Sequence, residues 1–259
     1  MKFEKILIVY SEKLSNKHKE TVERVRSITE KYSLCCVERA DKLYTEVFEG
    51  VDLVITVGGD GAFIRASSFI KEAFIVGINS EPETSEGALL SLKESELEFL
   101  EDILNGKFDV LRRERLKIKI NDKVIENLAL NEVYVGSQNQ FHTSRYVIKF
   151  NGKSEEQRSS GVLISTCSGS SAWYKSAGGV VFKEDVAKFL VREPFFSRIF
   201  NPKLLSGEVK KEEKIEFESR RHNGGVVAID SNFVYDFHYG DKVEVQISEF
   251  PLNVIIKRA

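Results

Sequence analysis

Three glycines and an aspartate follow a strongly apolar segment, in the order Gly58-Gly59-Asp60-Gly61. Glycine lets the backbone approach a ligand closely, and the free N–H groups of a following helix attract anions, so the loop is a candidate phosphate site. A carboxylate beside phosphate is repelled unless it holds a cation or accepts a proton, so Asp60 is a candidate catalytic base. A simple strand-to-helix turn in which Asp60 caps the helix is an alternative of about equal weight.

Two further segments carry groups of the kind that bind sugars and bases. Asn131 and Glu132 follow the apolar residues 128–130, where they could hold ribose hydroxyls or a base edge. Between residues 159 and 179, an apolar run leads into a turn rich in serine, threonine and glycine, which a planar ligand can approach closely. A serine-rich surface loop, with Trp173 as a core residue, is an alternative of about equal weight.

The first hundred residues alternate short apolar runs with longer polar stretches, which predicts a parallel sheet covered by helices. The glycine loop joins one of the predicted strands to the next predicted helix. We predict strands at residues 5–10, 34–37, 51–57 and 74–78, and helices at residues 17–31, 62–71 and 94–105, the last closed by Gly106.

Beyond about residue 108 the hydrophobic pattern changes to a period of two. The alternation in residues 116–120, 214–218 and 243–247 predicts half-exposed antiparallel strands. Turns are predicted at residues 121–122, 151–152, 223–225 and 239–241. We therefore predict an N-terminal Rossmann-like α/β domain over residues 1–107 and a C-terminal β-sandwich-like, β-rich domain over residues 108–259.

The overall composition limits the partners and the compartment. The chain of 259 residues has 38 Lys and Arg against 40 Asp and Glu, which argues against a general electrostatic affinity for nucleic acid. No apolar run approaches the roughly 18 residues of a membrane span, and no signal core stands at the amino terminus. The odd number of cysteines, three, fits a reducing compartment. We expect a cytoplasmic protein, or one of the mitochondrial matrix if a transit peptide was removed.

Other ionisable residues give weaker signals. The four histidines lack the spacing of a metal site, so no metal held by protein ligands is predicted. Arg112, Arg113 and Arg115 form a basic cluster that could meet phosphate, but a solvated entry into a strand is the favoured interpretation.

In their order along the chain, these motifs resemble those of the NAD kinase family. The series continues beyond residue 179 with Asp230 at the end of residues 228–230 and with Gly240-Asp241. Residues 77–87 are similar to the mitochondrial-type branch, in which the pattern Asn-x-x-Pro-Glu-x-Ser-Glu-Gly replaces a glycine-rich turn.

This resemblance implies a phosphotransferase with an alcohol acceptor, whose active site lies between an α/β domain and a β-rich domain. ATP, with Mg²⁺, would phosphorylate the adenosine 2′-hydroxyl of NAD to give NADP, and polyphosphate remains open as a donor. Asp60 matches the catalytic base, and Gly58, Gly59 and Gly61 match the loop that receives donor phosphates. No tightly bound cofactor is implied, and a homodimer or higher homo-oligomer is expected.

The resemblance also implies a set of NAD-binding residues. Asn131 and Glu132 match the pair that holds the ribose, and Trp173 takes the place of a stacking tyrosine. Other implied contacts are Ser171, Ala172 and Ser176 in the adenine and nicotinamide pockets, together with Ser160, Thr166 and Asp230.

Three positions depart from the family pattern. Ala62 replaces a usual threonine, Ser160 replaces an aspartate of the common bacterial enzymes, and Ala88 falls near their aromatic residue. A dinucleotide-binding regulator without catalysis is therefore one alternative, against which the retained Asp60 speaks. A lipid or sugar kinase with the same glycine loop is another, against which Asn131-Glu132 and the serine-rich segment speak.

Overall fold

The computed structural model describes residues 2–12, 15–139, 141–222 and 224–258. The chain divides into two units. Unit 1 runs to Arg113 and resumes at Pro251, and unit 2 comprises Glu114–Phe250.

Unit 1 is built on one seven-stranded sheet with helices. Labels follow chain order, so its last strand is β19. Its elements are β1 (Lys5–Tyr10), α1 (Asn16–Thr29), β2 (Leu34–Arg39), β3 (Leu53–Gly58), α2 (Asp60–Ser67), β4 (Phe74–Asn79), β5 (Leu92–Lys93), α3 (Glu98–Leu104), β6 (Asp109–Arg113) and β19 (Leu252–Ile256), with 3-10 turns at Ala40–Lys42, Thr45–Phe48 and Glu94–Glu96.

The strand order in unit 1 is β2-β1-β3-β4-β19-β6, and β5 pairs with β4. All neighbouring pairs are parallel except β19 with β6. In this register Tyr10 lies beside Val57, and Gly58 beside Asn79, so the carboxyl ends of β1, β3 and β4 lie at one edge of the sheet. Ligands of open α/β sheets bind at this edge.

Unit 2 contains two six-stranded antiparallel sheets. Its elements are β7 (Leu116–Ile120), β8 (Lys123–Val124), β9 (Glu132–Gly136), β10 (Ser144–Phe150), β11 (Lys153–Ser159), β12 (Gly161–Ser165), α4 (Trp173–Ser176), β13 (Ala187–Arg192), β14 (Ser206–Val209), β15 (Lys214–Ser219), β16 (Gly225–Ile229), β17 (Phe233–Phe237) and β18 (Lys242–Ile247), with a 3-10 turn at Ser168–Ser171.

The two sheets of unit 2 enclose one hydrophobic core. Their strand orders are β11-β10-β15-β18-β7-β8 and β14-β13-β12-β9-β16-β17. Ile118 and Val245 of the first sheet share this core with Val133 and Ile164 of the second. Because strand side chains alternate between faces, Tyr134 points to the opposite face, where it packs with Leu163 and Val226. The predicted pairing of an α/β domain with a β-sandwich-like domain is confirmed.

The observed unit boundary differs from the predicted division at residues 107 and 108. β6 and β19 both belong to the sheet of unit 1, so the chain leaves this unit after Arg113 and returns to it near its end. Hydrophobic periodicity reports which face of a strand is buried, but it does not report the strand's partners.

Local signals agree with most predicted elements. Asn121 and Asp122 both have positive φ, 47° and 66°, as a tight hairpin turn between β7 and β8 requires. Gly106 follows α3 with φ 79°, as predicted for its closing residue. The predicted helix over residues 94–105 is instead a 3-10 turn followed by α3. The predicted turn over residues 223–225 lies partly outside the described residues, because Asn223 is not described.

Two further properties concern the cysteines and the helices. Cys35, Cys36 and Cys167 are free thiols. Within the residues that the structure describes, no helix combines the length and apolarity that crossing a bilayer requires.

Candidate active site

The glycine loop leaves β3 through Gly58. Its φ of 147° is disfavoured for residues with a side chain, and a Cβ placed there would lie 2.3 Å from the Ser11 hydroxyl oxygen. At Gly61, in contrast, no heavy atom lies within 4 Å of the Cβ position. The backbone at Gly61 is therefore open to a ligand, and Gly58 makes the turn that exposes it.

Asp60 is the first residue of α2, and its side chain does not cap the helix, whose N-cap is Gly59. The carboxylate instead accepts hydrogen bonds from the backbone N–H groups of Ala88 at 3.1 Å and Leu89 at 2.9 Å. The side chain is half-buried. Since each carboxylate oxygen has two lone pairs, both oxygens keep acceptor capacity in a fixed position.

The segment that supplies these two N–H groups is organised around Asn79. The Asn79 side chain donates to the Ser85 carbonyl at 2.8 Å and accepts from the Glu81 N–H at 3.1 Å. A Cβ at Gly87 would lie 2.5 Å from the Asn79 amide nitrogen. The residues that resemble the mitochondrial-type pattern therefore fold against Asn79 and place Ala88 and Leu89 beside Asp60. Ala62 is buried in α2, where its methyl group contributes to packing.

In unit 2, Asp230 fixes the backbone that carries Asn131 and Glu132. Its carboxylate accepts from the N–H groups of Leu130 at 2.7 Å, Asn131 at 2.9 Å and Glu132 at 2.9 Å. The side chain is buried, and φ of Asp230 is 48°. Its predicted role was NAD contact, whereas in the structure both carboxylate oxygens bind the protein's own backbone.

The serine-rich turn holds the same backbone from its carbonyl side. The Thr166 N–H donates to the Asn131 carbonyl at 2.9 Å, and the Thr166 hydroxyl donates to the Leu130 carbonyl at 2.5 Å. A Cβ at Gly169 would lie 2.2 Å from the Asn131 carbonyl oxygen, so only glycine allows this approach.

The backbone groups of Asn131 and Glu132 are held by these hydrogen bonds, but their side chains are left with polar atoms that make none to the residues described. Asn131 Oδ1 and Glu132 Oε2 are buried and have no hydrogen-bond partner among the described residues. A buried polar atom without a partner costs about 1–3 kcal/mol, and such atoms are rare in native proteins. Their presence on a backbone fixed from both sides indicates a site prepared for a polar ligand.

Burial also changes the protonation of this cluster. Burial, and secondly the charge of Asp230, raise the pKa of Glu132 to about 8. Burial raises the pKa of Asp230 to about 6. The hydrogen bonds from three backbone N–H groups and the charge of Arg115 act in the opposite direction and lower this pKa. At neutral pH Asp230 is therefore ionised, while Glu132 is a neutral acid that can donate a hydrogen bond.

Arg115 supplies the cation near Asp230. It is fully buried, which lowers its pKa to about 10, and its Nε and Nη2 donate to the Phe250 carbonyl at 2.9 Å and 2.7 Å. The interpretation of Arg115 as part of a solvated strand entry is therefore wrong. A single buried arginine beside an alternating strand gives no periodic signal that would distinguish it from its exposed neighbour Arg112.

Trp173 begins α4 on the outer face of the second sheet. Its ring lies 5.4 Å from the Tyr134 ring, and Arg192 Cζ lies 5.2 Å from the Trp173 ring centre. The Tyr134 hydroxyl donates to the Ser160 carbonyl at 2.6 Å. Trp173 is half-buried, so its ring packs on the protein and keeps part of its surface accessible.

The structure thus arranges the predicted site residues in four groups. Gly58, Gly59, Asp60 and Gly61 form the loop of unit 1. In unit 2, Asn131, Glu132, Thr166 and Asp230 share one hydrogen-bonded cluster. Tyr134, which was not predicted, links Trp173 and Ser160. Ser171, Ala172 and Ser176 are exposed on the turn and on α4. Within the described part of the chain, no cluster of His, Cys, Asp or Glu is fit to hold a metal alone.

Comparison with known proteins decides the family. A family model of the ATP-NAD kinase C-terminal domain matches residues 113–257. The chain belongs to the NAD kinase family. The resemblance read from the sequence motifs is confirmed.

Relatives of this NAD kinase family member match most of the chain. A protein of Oryza sativa named probable NADH kinase is 28% identical over 92% of this chain and 81% of its own length. The NAD kinase of Methanosarcina mazei is 31% identical over 80% of this chain and 70% of its own length.

Solved structures of NAD and NADH kinases are also similar to this chain. An NAD kinase from Archaeoglobus fulgidus, crystallised in complex with ATP, superposes with a TM-score of 0.76 at 25% identity, covering 98% of this chain and 93% of the other. Yeast NADH kinase complexed with NADH gives a TM-score of 0.77 at 15% identity, covering 99% and 84%, and shares the fold.

Proposed function

We propose that this member of the NAD kinase family transfers the γ-phosphoryl group of ATP to the adenosine 2′-hydroxyl of NAD, giving NADP and ADP. The observation that carries the proposal is the Asp60 carboxylate, held by two backbone N–H groups next to an open glycine loop. Family membership supports the same activity. It also weighs against a lipid or sugar kinase and against a non-catalytic regulator.

Asp60 is proposed as the general base. As the 2′-oxygen attacks the γ-phosphorus, its proton passes to a carboxylate oxygen of Asp60, and the bond from phosphorus to the β,γ-bridging oxygen breaks. Phosphoryl transfer depends mainly on alignment and charge neutralisation. The hydrogen bonds from Ala88 and Leu89 supply alignment, since they leave the carboxylate little rotational freedom.

The donor phosphates are assigned to Gly58, Gly59 and Gly61, at the amino end of α2. Mg²⁺ fits this site as an ion carried by the triphosphate, since it takes oxygen ligands from phosphates and one or two carboxylates rather than from a protein cage. Asp60 is the carboxylate next to the loop. When bound, Mg²⁺ would neutralise charge on the phosphate oxygens.

The acceptor is assigned to unit 2. Asn131 Oδ1 would accept a hydrogen bond from a ribose hydroxyl, and the neutral acid of Glu132 would donate or accept another, which satisfies the two unpartnered atoms. Thr166 and Asp230 act on the acceptor through the backbone that they hold. The adenine and nicotinamide ends of NAD are assigned to five further residues, Ser160, Ser171, Ala172, Trp173 and Ser176.

The test is NADP formation from NAD and Mg-ATP by wild type and Asp60→Asn. We expect the variant to lose at least about 10²–10⁴-fold in turnover, the range of general-base catalysis, while calorimetry still detects NAD binding. Diacylglycerol and fructose 6-phosphate, offered as acceptors, should give no product. Near-normal turnover in Asp60→Asn would exclude the base assignment.

Asp52→Asn is a matched control. Asp52 also accepts two backbone N–H groups in unit 1, from Glu4 at 2.8 Å and Lys5 at 3.0 Å. Both bonds end on one oxygen of Asp52, which the amide oxygen of asparagine can replace, whereas Asp60 accepts one bond on each oxygen and must lose one of them in Asp60→Asn. Asp52→Asn therefore controls for the loss of a backbone-bound carboxylate in unit 1, and we expect it to keep turnover.

We also propose that the enzyme is cytoplasmic and forms a homodimer. The free thiols support the cytoplasm, a reducing compartment. The exposed apolar side chains Phe195, Phe196 and Ile199 support a subunit contact. Cell fractionation and light scattering of the purified protein test these two statements.

A further inference from the structure

Unit 1 contains a cavity of about 690 Å³ that the proposed function has not used. It lies where β1 and β2 end, against α1, and Tyr10, Val22, Val37 and Arg39 are among its lining residues. Small-molecule sites in proteins typically measure about 300–1,000 Å³ and combine apolar walls with few polar groups. The cavity has the volume of such a site, and Tyr10, Val22 and Val37 form its apolar part, but most of its lining is polar or charged.

The cavity adjoins the glycine loop through Ser11. The Ser11 N–H donates to the Val57 carbonyl at 3.1 Å, and the Cβ position of Gly58 lies 2.3 Å from Ser11 Oγ. Ser11 lines the cavity, and its Oγ is buried without a hydrogen-bond partner among the described residues. A ligand in the cavity that satisfies Ser11 Oγ would therefore reach the first residue of the phosphate loop.

Arg39 lines the cavity, and two carboxylates hold its guanidinium in place. Its guanidinium donates from Nε and Nη2 to Asp41, at 2.9 Å and 2.7 Å, and from Nη1 and Nη2 to Glu12, at 2.9 Å and 2.5 Å. Four of its five N–H donors are thus engaged, which leaves little capacity to bind phosphate. A guanidinium held in one plane is instead suited to stacking on an aromatic base.

The charges around the cavity also favour an uncharged group. The cationic side chains are Lys19, Arg26 and Arg39, and the anionic ones are Glu12 and Glu23. Glu30 further pairs with Arg26 at 2.7 Å, and Asp41 with Arg39 at 2.7 Å. Among the described residues these acidic side chains offset the cationic ones, which disfavours an inorganic polyanion.

We infer that this cavity binds the nucleoside of the phosphoryl donor, with the base stacked on Arg39 and the ribose beside Ser11. The inference rests on the proposed function, which places the donor phosphates on the glycine loop. It selects a nucleoside triphosphate over inorganic polyphosphate as donor. The base would lie between the Arg39 plane and the apolar side chains of Val22 and Val37.

The experiment compares Mg-ATP with inorganic tripolyphosphate as donors for wild type, Arg39→Ala and Arg39→Lys. We expect wild type to have a KM for ATP at least about tenfold below that for tripolyphosphate, because tripolyphosphate lacks the base and ribose that the cavity would bind. Arg39→Ala and Arg39→Lys should both raise the KM for ATP about tenfold, since lysine keeps the charge but lacks the plane. The KM for NAD should not change.

Arg24→Ala is the control, because Arg24 is exposed on α1 and does not line the cavity. Circular dichroism reports folding, and equilibrium binding of the fluorescent analogue mant-ATP gives a readout independent of turnover. Equal mant-ATP affinity in wild type and Arg39→Ala, full rescue by lysine, or equal use of both donors by wild type would overturn the inference. Absence of NADP with either donor, alongside weakened mant-ATP binding in Arg39→Ala, would refute the proposed function and leave the nucleoside site supported.

Discussion

The carboxylate of Asp230 and the backbone N–H of Asn131 are joined by a hydrogen bond of 2.9 Å between residues 99 positions apart. The same carboxylate holds the N–H groups of Leu130 and Glu132. One buried anion therefore sets the position of two side chains whose polar atoms are left for a ligand. The carboxylate acts on the site through the backbone.

Substitution of Asp230 should separate acceptor binding from donor binding. In Asp230→Asn, one oxygen is replaced by an NH₂ group that faces backbone N–H donors. Leaving such a group unsatisfied costs about 1–3 kcal/mol, so urea unfolding should show a loss of that order. We expect the KM for NAD to rise about tenfold while the KM for ATP is unchanged.

Asp236→Asn, on the exposed part of β17, is the control and should resemble wild type. An unchanged KM for NAD in a folded Asp230→Asn protein would contradict the positioning role.

The raised pKa of Glu132 predicts a pH dependence of stability. Its folded pKa is about 8, whereas an unfolded glutamate has a pKa of about 4.3. The folded state binds this proton more tightly than the unfolded state does. The resulting contribution to the free energy of unfolding is at its full value below about pH 4 and is lost progressively as the pH rises to about 8. Glutamine does not titrate, so Glu132→Gln should gain stability relative to wild type across this range.

The measurement is the free energy of unfolding in urea at pH 5, 6.5 and 8 for both proteins. Asp230 is present in both, so its own titration largely cancels in the difference. A difference that stays constant with pH would show that Glu132 does not bind a proton more tightly in the folded state.

Asn131→Ala should lower activity without lowering stability. Asn131 Oδ1 is buried and unpartnered, so its removal relieves a cost in the free protein. In the complex it would remove a hydrogen bond to the acceptor. We expect kcat/KM for NAD to fall about 10–100-fold, and the thermal midpoint to stay level or rise.

Asn139→Ala, at an exposed position after β9, controls for loss of an asparagine. A stability loss in Asn131→Ala together with normal NAD kinetics would assign Asn131 to the fold instead of the site.

Two glycines of the loop should respond differently to alanine. Gly58→Ala forces a residue with a Cβ into φ 147° and against Ser11, which should cost roughly 1–3 kcal/mol of stability. Gly61→Ala meets no atom of the free protein within 4 Å. If phosphate rests there, Gly61→Ala should fold normally and bind ATP at least tenfold more weakly.

Thermal unfolding and ATP titration of the two variants, in parallel, provide the check. Wild-type ATP affinity in Gly61→Ala would remove Gly61 from the phosphate site.

Much of the fold follows from local signals. The apolar run Lys5–Tyr10 forms the predicted strand with the same limits, because a strand buried on both faces has no polar interruption. Asn151 and Gly152 make the predicted turn with φ values of 48° and 74°. Conformational demands of this kind act within a few residues, so the sequence reports them directly.

The relations between distant segments were not predictable in this way. The hydrogen bond from Leu89 to Asp60 uses a backbone N–H, which any residue except proline supplies. The burial of Arg115 depends on the Phe250 carbonyl, 135 positions away. Residue types identified the groups that carry chemistry, whereas the partners that orient them arise only when the chain is folded.

The position of β19 has a consequence for biosynthesis. This strand lies inside the sheet of unit 1, between β4 and β6, although it is made after the whole of unit 2. Until residues 252–256 have left the ribosome, β4 therefore lacks one neighbour and β6, the terminal strand that pairs with β19, cannot join the sheet. During that interval the facing edges of β4 and β6 lack their partner, and early folding of the sandwich would shorten the search by which the last strand finds its place.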